Sequence, residues 1–301
     1  MLSQNVKNYI IHKHSFCSEE LFNGWEPFWK VQRLYLTLLL LLFFALPLTV
    51  CAKSPEENRA AFPVVLMYHD IKTEPLNTFD VTRDDFSAQL DWLREKGYRT
   101  LSMDEFVFGV KKQSFPEKSV LITFDDGYEG ICLHAAPELR KRNMRATFFI
   151  ITETINKALE GYPYISMKQL TELAADPLFS IGSHTMRHPF LSRLSPQEQL
   201  EELTRSKTKL ENLTGRPVLA LAYPYGDYDA SVIAALKESG YLAGFAVNDR
   251  GMANEPARYS IPRIYMGMEL GKNHQQLFKK YVKAYKKMPK EAFAERFNVI
   301  Q

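Results

Sequence analysis

The chain has 301 residues, 46% of them hydrophobic and 24% charged, with a net charge of only +3. This is the composition of an ordinary globular protein, and it lacks the basic excess of a nucleic-acid binder. Three cysteines, Cys17, Cys51 and Cys132, make neither an even framework nor a CxxC pair, which excludes a disulfide scaffold and a cysteine-based zinc site.

Residues 1–29 show no apolar period and stand apart as an N-terminal extension. From Lys30 the layout changes: Lys30 and Arg33 precede an uncharged stretch from Leu34 to Ala52, with its apolar core at Leu38 to Phe44 and a small-residue end at Ala52. That order is the order of a signal peptide cut after Ala52. Retained, the same stretch approaches the roughly 20 residues that span a bilayer and would serve as a membrane anchor. Either way the remainder is expected to be exported, to the periplasm, the exterior or the outer face of a membrane. Cys51 is a weak lipidation signal, because the residue before it, Val50, is bulky.

From Phe62 to Gln301 strand-like and helix-like segments alternate without a linker, which predicts a single domain. Val64 to Tyr68 reads as a strand, and Thr82 with Asp85 opens a helix that stops at Gly97. Further strands are expected at Tyr98 to Thr100, Val120 to Phe124, Ala146 to Ile151, Phe179 to Ser183, Leu219 to Tyr223, Gly244 to Val247 and Ile261 to Ile264. Between them, Ser102 with Glu105, Ser166 with Gln169 and Ser195 with Glu198 mark helix starts, and Gly215 and Gly240 mark helix stops. Lysines surround an apolar stripe of Leu277, Phe278, Tyr281, Val282 and Tyr285, the pattern of a last helix docked on the domain. Seven or eight strand-helix units predict an α/β fold, a distorted (β/α)7-8 barrel.

Active groups in such a barrel gather at the C-terminal strand ends. His69 follows the first strand, and Asp125 and Asp126 end the apolar run Val120 to Phe124. His184 and His188 follow Phe179 to Ser183, and Tyr223 to Gly226 end another strand. The i, i+4 spacing of His184 and His188 suits two nitrogen ligands on one helical turn, and a carboxylate from the aspartate pair would complete an open three-ligand site. Adjacent strand residues face opposite sides, so one aspartate can ligate a metal while the other accepts a proton. Tyr128, Tyr223, Tyr225 and Tyr228 offer flat apolar surfaces near these strand ends. Cys132, with no base or partner thiol in view, reads as inert.

Thr123-Phe124-Asp125-Asp126-Gly127, Ser183-His184-Thr185-Met186-Arg187-His188 and Tyr223-Pro224-Tyr225-Gly226, in that order, resemble the first three motifs of the polysaccharide deacetylase superfamily, also called the NodB-homology or carbohydrate esterase four family. The resemblance implies a distorted barrel and metal-dependent removal of N-acetyl groups from amino-sugar polymers. It makes Asp125 the general base, and Asp126, His184 and His188 the ligands of one divalent ion, zinc first, with cobalt, nickel or iron as alternatives. The backbone N–H of Tyr225 would hold the oxyanion, with Tyr223, Tyr225 and Arg263 counted as substrate-binding.

Two features depart from the common pattern. The arginine expected before Pro224-Tyr225 is replaced by Ala220-Leu221-Ala222-Tyr223, which leaves Arg263 as the substitute that would orient Asp125. No late tryptophan or histidine motif follows, and His274 sits in a lysine-rich, surface-like context. Met67-Tyr68-His69 resembles instead the opening motif of the exported poly-β-1,6-N-acetylglucosamine deacetylases of biofilms, which implies His69 as the catalytic acid and an N-acetylated polysaccharide as the partner. A peptidoglycan or chitin oligosaccharide deacetylase, or a non-catalytic carbohydrate-binding barrel, are the alternatives.

Overall fold

The computed structural model describes residues 62–247, 257–267 and 274–285, which all fall within the compact unit Pro55–Gln301. The extension 1–29 and the segment 30–52 lie outside the described residues. Among the described residues no helix is long and apolar enough to cross a membrane.

An eight-stranded parallel sheet forms the frame. Its strands are β1 (Val64–Tyr68), β4 (Arg99–Thr100), β5 (Ser119–Phe124), β6 (Ala146–Ile150), β9 (Phe179–Ser183), β10 (Ala220–Ala222), β11 (Ala243–Phe245) and β12 (Ile264–Tyr265), in the order β11-β10-β9-β6-β5-β1-β12. One edge of β5 pairs with β1 from Val120 to Phe124, so its other edge is shared: β4 meets Ser119 and Val120, and β6 meets Thr123 and Phe124. Ile261 bridges Phe245 of β11 just before β12 pairs with Leu66 and Met67 of β1. Segment 261–265 thereby joins the two outer edges and curls the sheet into the expected distorted barrel.

Strand alternation divides the apolar side chains between two cores. Val64, Leu66 and Tyr68 of β1 and Val120, Ile122 and Phe124 of β5 face the helices, together with Phe148 and Ile150 of β6. Val65, Leu121, Phe149, Ala220, Ala222 and Phe245 form the second core, inside the barrel, and helix Met103–Lys112 adds Phe106 and Val110 to it. Each such aromatic or aliphatic side chain contributes roughly 1.5–3 kcal/mol by leaving water. Space inside is scarce: a Cβ at Gly182 would stand 2.4 Å from the Phe149 ring, so glycine is required where β9 passes it.

The helices begin where their caps predict. Thr82 accepts the Asp85 N–H ahead of helix Arg83–Glu95, and Ser102, Ser166 and Ser195 each form a full capping box. Gly215 closes helix Pro196–Thr214 at φ 67°. The last helix, His274–Tyr285, docks on Arg83–Glu95 through the Phe278 and Trp92 rings, 5.4 Å apart. Two additions were not expected from the sequence, the short parallel pair β2 (Asp70–Lys72) with β3 (Asp80–Thr82) and the hairpin β7 (Ala158–Leu159) with β8 (Tyr162–Pro163). Both lie on the rim that carries the conspicuous polar residues, where tertiary contacts rather than local propensity select extended backbone.

Candidate active site

The rim formed by the C-terminal ends of β1, β5, β9 and β10 gathers the site. Asp125 and Asp126 lie beyond β5 rather than in it, which corrects the expectation of two alternating strand residues. Asp126 has φ 70° and Gly127 φ 84°, so a left-handed turn, not the pleat, separates the two carboxylates. Aspartate tolerates that region, and at Gly127 a Cβ would also press on Ile150 at 3.1 Å.

Nor are the two histidines on a helical turn. His184 to His188 form a non-helical bend in which Thr185 and His188 take φ values of 66° and 62°. The bend still converges the rings: His184 Nε2 and His188 Nε2 lie 3.1 Å apart, and Asp126 Oδ1 is 3.3 Å from the first and 3.5 Å from the second. Three donors of a tetrahedral ion with bonds of roughly 2.0–2.1 Å stand about 3.3 Å apart, so this triangle fits a small divalent cation.

The donor chemistry agrees with the geometry. His184 Nδ1 lies 2.8 Å from the Ala222 carbonyl oxygen, and in the neutral ring it donates its proton there, leaving the Nε2 lone pair bare. Asp126 Oδ1 is buried with no N–H or O–H aimed at it. Lone pairs converging on one point repel unless a proton or a cation lies between them.

Local charge follows the same pattern. Burial acts to raise the Asp126 carboxyl, but the surrounding imidazoles outweigh it and hold the group well below the usual carboxylate range. Burial acts to lower His184, yet Asp125 and Asp126 raise it above its ordinary value. Burial, reinforced by His184, pushes His188 down to about 4.

Asp125 is held differently. Arg263, only 5% exposed, donates Nη1–H to Asp125 Oδ1 and Nη2–H to Oδ2, both at 2.7 Å. Its remaining bonds go to the Ala246 carbonyl and the Thr123 hydroxyl. Burial would raise the Asp125 carboxyl; the guanidinium overcomes this and keeps it below the usual range. Arg263 therefore orients Asp125, and its burial withdraws it from the substrate-binding set.

Tyr223 leaves that set as well. It is 0% exposed, stacks on Tyr228 at 4.8 Å and donates its hydroxyl to the Tyr259 carbonyl, so it packs the interior. Tyr225 is 54% exposed, 4.5 Å from the His188 ring, and stacked face to face on Phe190 at 4.0 Å. Phe190 is a site neighbour that the motifs did not single out; its signal was an apolar aromatic following His188-Pro189. Tyr128 is buried and stacks on Tyr164 at 4.8 Å. His69 lies between the rings of Phe79 and Tyr265, at 5.7 and 5.8 Å, with Nδ1 buried and unpartnered. Cys132 is half-buried, and burial pushes its thiol up to about 12, which agrees with an inert role.

Comparison with known proteins agrees with this geometry. Residues 112–244 match the family described as polysaccharide deacetylase. The chain is 33% identical over 209 residues to YxkH of Bacillus subtilis, a match covering 69% of this chain and 72% of that protein. It is 31% identical over 232 residues to the poly-beta-1,6-N-acetyl-D-glucosamine N-deacetylase of Staphylococcus epidermidis, covering 69% of this chain and 79% of that one. Among solved structures, IcaB from Ammonifex degensii superposes with a TM-score of 0.64 at 26% identity, over 76% of this chain and 98% of that one.

Proposed function

Since the chain belongs to the polysaccharide deacetylase family, we propose that it removes N-acetyl groups from poly-β-1,6-N-acetylglucosamine, releasing acetate and leaving free amines on the polymer. The observation that carries this reading is the triangle of Asp126 Oδ1, His184 Nε2 and His188 Nε2 next to a carboxylate clamped by Arg263. The Staphylococcus epidermidis relative and the Met67-Tyr68-His69 opening support the choice of polymer. The catalytic domain in this proposal spans residues 62–301. The apolar stretch after Lys30 and Arg33 supports export and a place in building an extracellular, biofilm-type polysaccharide.

Asp126, His184 and His188 would hold the divalent ion, for which zinc suits two imidazoles and one carboxylate. Bound there, such an ion supplies Lewis acidity, lowering the pKa of water and polarising the acetamide carbonyl. Asp125, kept ionised by Arg263, accepts a proton from the attacking water as its oxygen bonds to the carbonyl carbon. The Tyr225 backbone N–H donates to the oxygen that becomes negative. Its residue sits at φ 57° between Pro224 and Gly226, a fixed local backbone that supports a preset donor. As the carbon–nitrogen bond breaks, His69 gives a proton to the departing amine; Asp125 then releases its proton to solvent and His69 regains one from it, which restores both groups.

The test is release of amine and acetate from poly-β-1,6-N-acetylglucosamine, N-acetylglucosamine oligomers and peptidoglycan, with and without added divalent ions, for wild type and Asp125→Asn. Turnover of the first polymer, lost in the variant, is the expected result. Inactivity of ion-loaded protein on all three substrates would leave a carbohydrate-binding barrel as the better reading.

A further inference from the structure

The bend that carries both histidines is strained and is restrained from outside. A β-branched residue such as Thr185 is strained at φ 66°, and His188 repeats the left-handed geometry three residues on. No helix or strand fixes the His184 to His188 spacing. The Thr152 and Glu153 backbone N–H groups donate to the Thr185 and Met186 carbonyls at 3.2 and 3.0 Å, and helix Pro196–Thr214 adds two side chains one turn apart. Glu202, 0% exposed, accepts the Met186 and Arg187 backbone N–H groups on Oε2 at 2.9 and 3.1 Å, and Arg187 Nε–H on Oε1 at 2.6 Å. Ser206 donates its hydroxyl to the Thr185 carbonyl at 3.1 Å and meets the Ser183 hydroxyl at 2.7 Å. Within the bend, Thr185 Oγ1 accepts the His188 N–H at 3.0 Å.

Every residue between the two ligands thus has backbone fixed by this helix face. A buried carboxylate that accepts consecutive backbone N–H groups is a strong, charge-assisted restraint, and its burial would be costly were these donors lost. The apolar stripe of the helix could have taken a leucine here; instead it carries Glu202 and Ser206 beside Leu203 and Leu210.

We propose that Glu202, assisted by Ser206, is a positioning residue that sets the separation of His184 and His188 and so the affinity and coordination geometry of the divalent ion. This rests on the metal-centre reading above. It assigns to helix Pro196–Thr214 a role in ion binding although neither side chain reaches the ion.

The experiment compares wild type with the isosteric Glu202→Gln, measuring zinc dissociation constants by competition with a chromogenic chelator, the absorption spectrum of the cobalt-loaded protein, and the melting of the ion-free form. The inference expects a Kd raised about 10- to 100-fold, the range typical of lost outer-shell support, with an altered cobalt spectrum. A lower melting temperature with Kd and spectrum unchanged would overturn it, since that is what a merely structural contact predicts. If Glu202→Gln does not fold, Ser206→Ala carries the same measurements, and an unchanged Kd there overturns the inference. Failure of wild-type protein to bind zinc or cobalt removes the metal centre itself, and this inference with it; binding by wild type with unaltered variants removes the inference alone.

Discussion

Arg263 and Asp125 meet through two parallel 2.7 Å hydrogen bonds although 138 positions separate them in the chain. Two nitrogens of one planar guanidinium engaging both oxygens of one carboxylate fix the plane of that carboxylate as well as its charge. Arg263→Lys cannot reproduce the fork, and Arg263→Ala leaves a buried carboxylate alone. Without the guanidinium, burial is free to raise the Asp125 pKa, so the acidic limb of the kcat/KM profile should move to higher pH. Loss of a buried partner should also lower stability by about 3–5 kcal/mol, visible in thermal melts. An acidic limb that stays in place in a folded variant would show that Asp125 is not the group titrating there.

His69→Ala should lower kcat by a factor of about 10²–10⁴, the range for a lost general acid, with KM much less affected. A substrate whose leaving group needs no proton, such as an activated acetate ester, should be spared most of this loss. Full activity on the polymer would rule His69 out as the acid.

Ion binding should weaken as pH falls, because a proton and the cation compete for His184 Nε2. Asp125 and Asp126 outweigh burial and raise the His184 pKa above its usual 6.5, so competition begins above that value rather than below it. Zinc affinity measured between pH 8 and pH 5.5 should therefore fall by about tenfold per pH unit at the acidic end, with proton release on binding detectable by calorimetry in buffers of different ionisation enthalpy. A pH-independent Kd would contradict the assigned ligand set.

Away from the site, Glu138 sets an acid-stability prediction. Hydrogen bonds from Arg142 and Arg83 pull its carboxyl down to about 2. A carboxyl with a depressed pKa stabilises the fold above its unfolded value, ordinarily 4.5, and that contribution disappears as pH falls through about 2. Glu138→Gln should be less stable than wild type at pH 6 in urea denaturation, and the gap should close between about pH 4.5 and pH 2. A gap that persists at pH 2 would point to lost packing rather than lost charge.

The sequence was most legible where local chemistry decides. The serine capping boxes at 102, 166 and 195 and the apolar runs of β1, β5 and β9 needed only their own neighbours, and the same runs marked the strand ends where His69, Asp125 and His184 would emerge. What required tertiary information was misread or missed. The spacing of His184 and His188 suggested a helical turn, whereas the segment is a bend held by hydrogen bonds with Glu202, Ser206 and the backbone of Thr152 and Glu153. Tyr223 and Tyr225 share one motif, but Tyr223 is buried in the core between sheet and helices and Tyr225 is exposed at the rim. The clue to Glu202 was an acid within the inward stripe of a helix, and a stripe cannot say what such an acid will meet.

The segment that carries Arg263, just before β12, is also the one that joins the sheet edges, since Ile261 bridges β11 and Ile264 pairs with β1. Closure of the ring and alignment of Asp125 therefore depend on the same short segment. A chain cut before Ile261 would lose the closing segment and the guanidinium on Asp125 together, although Asp126, His184 and His188 all precede the cut. The residue that clamps Asp125 is thus built into the seam of the barrel.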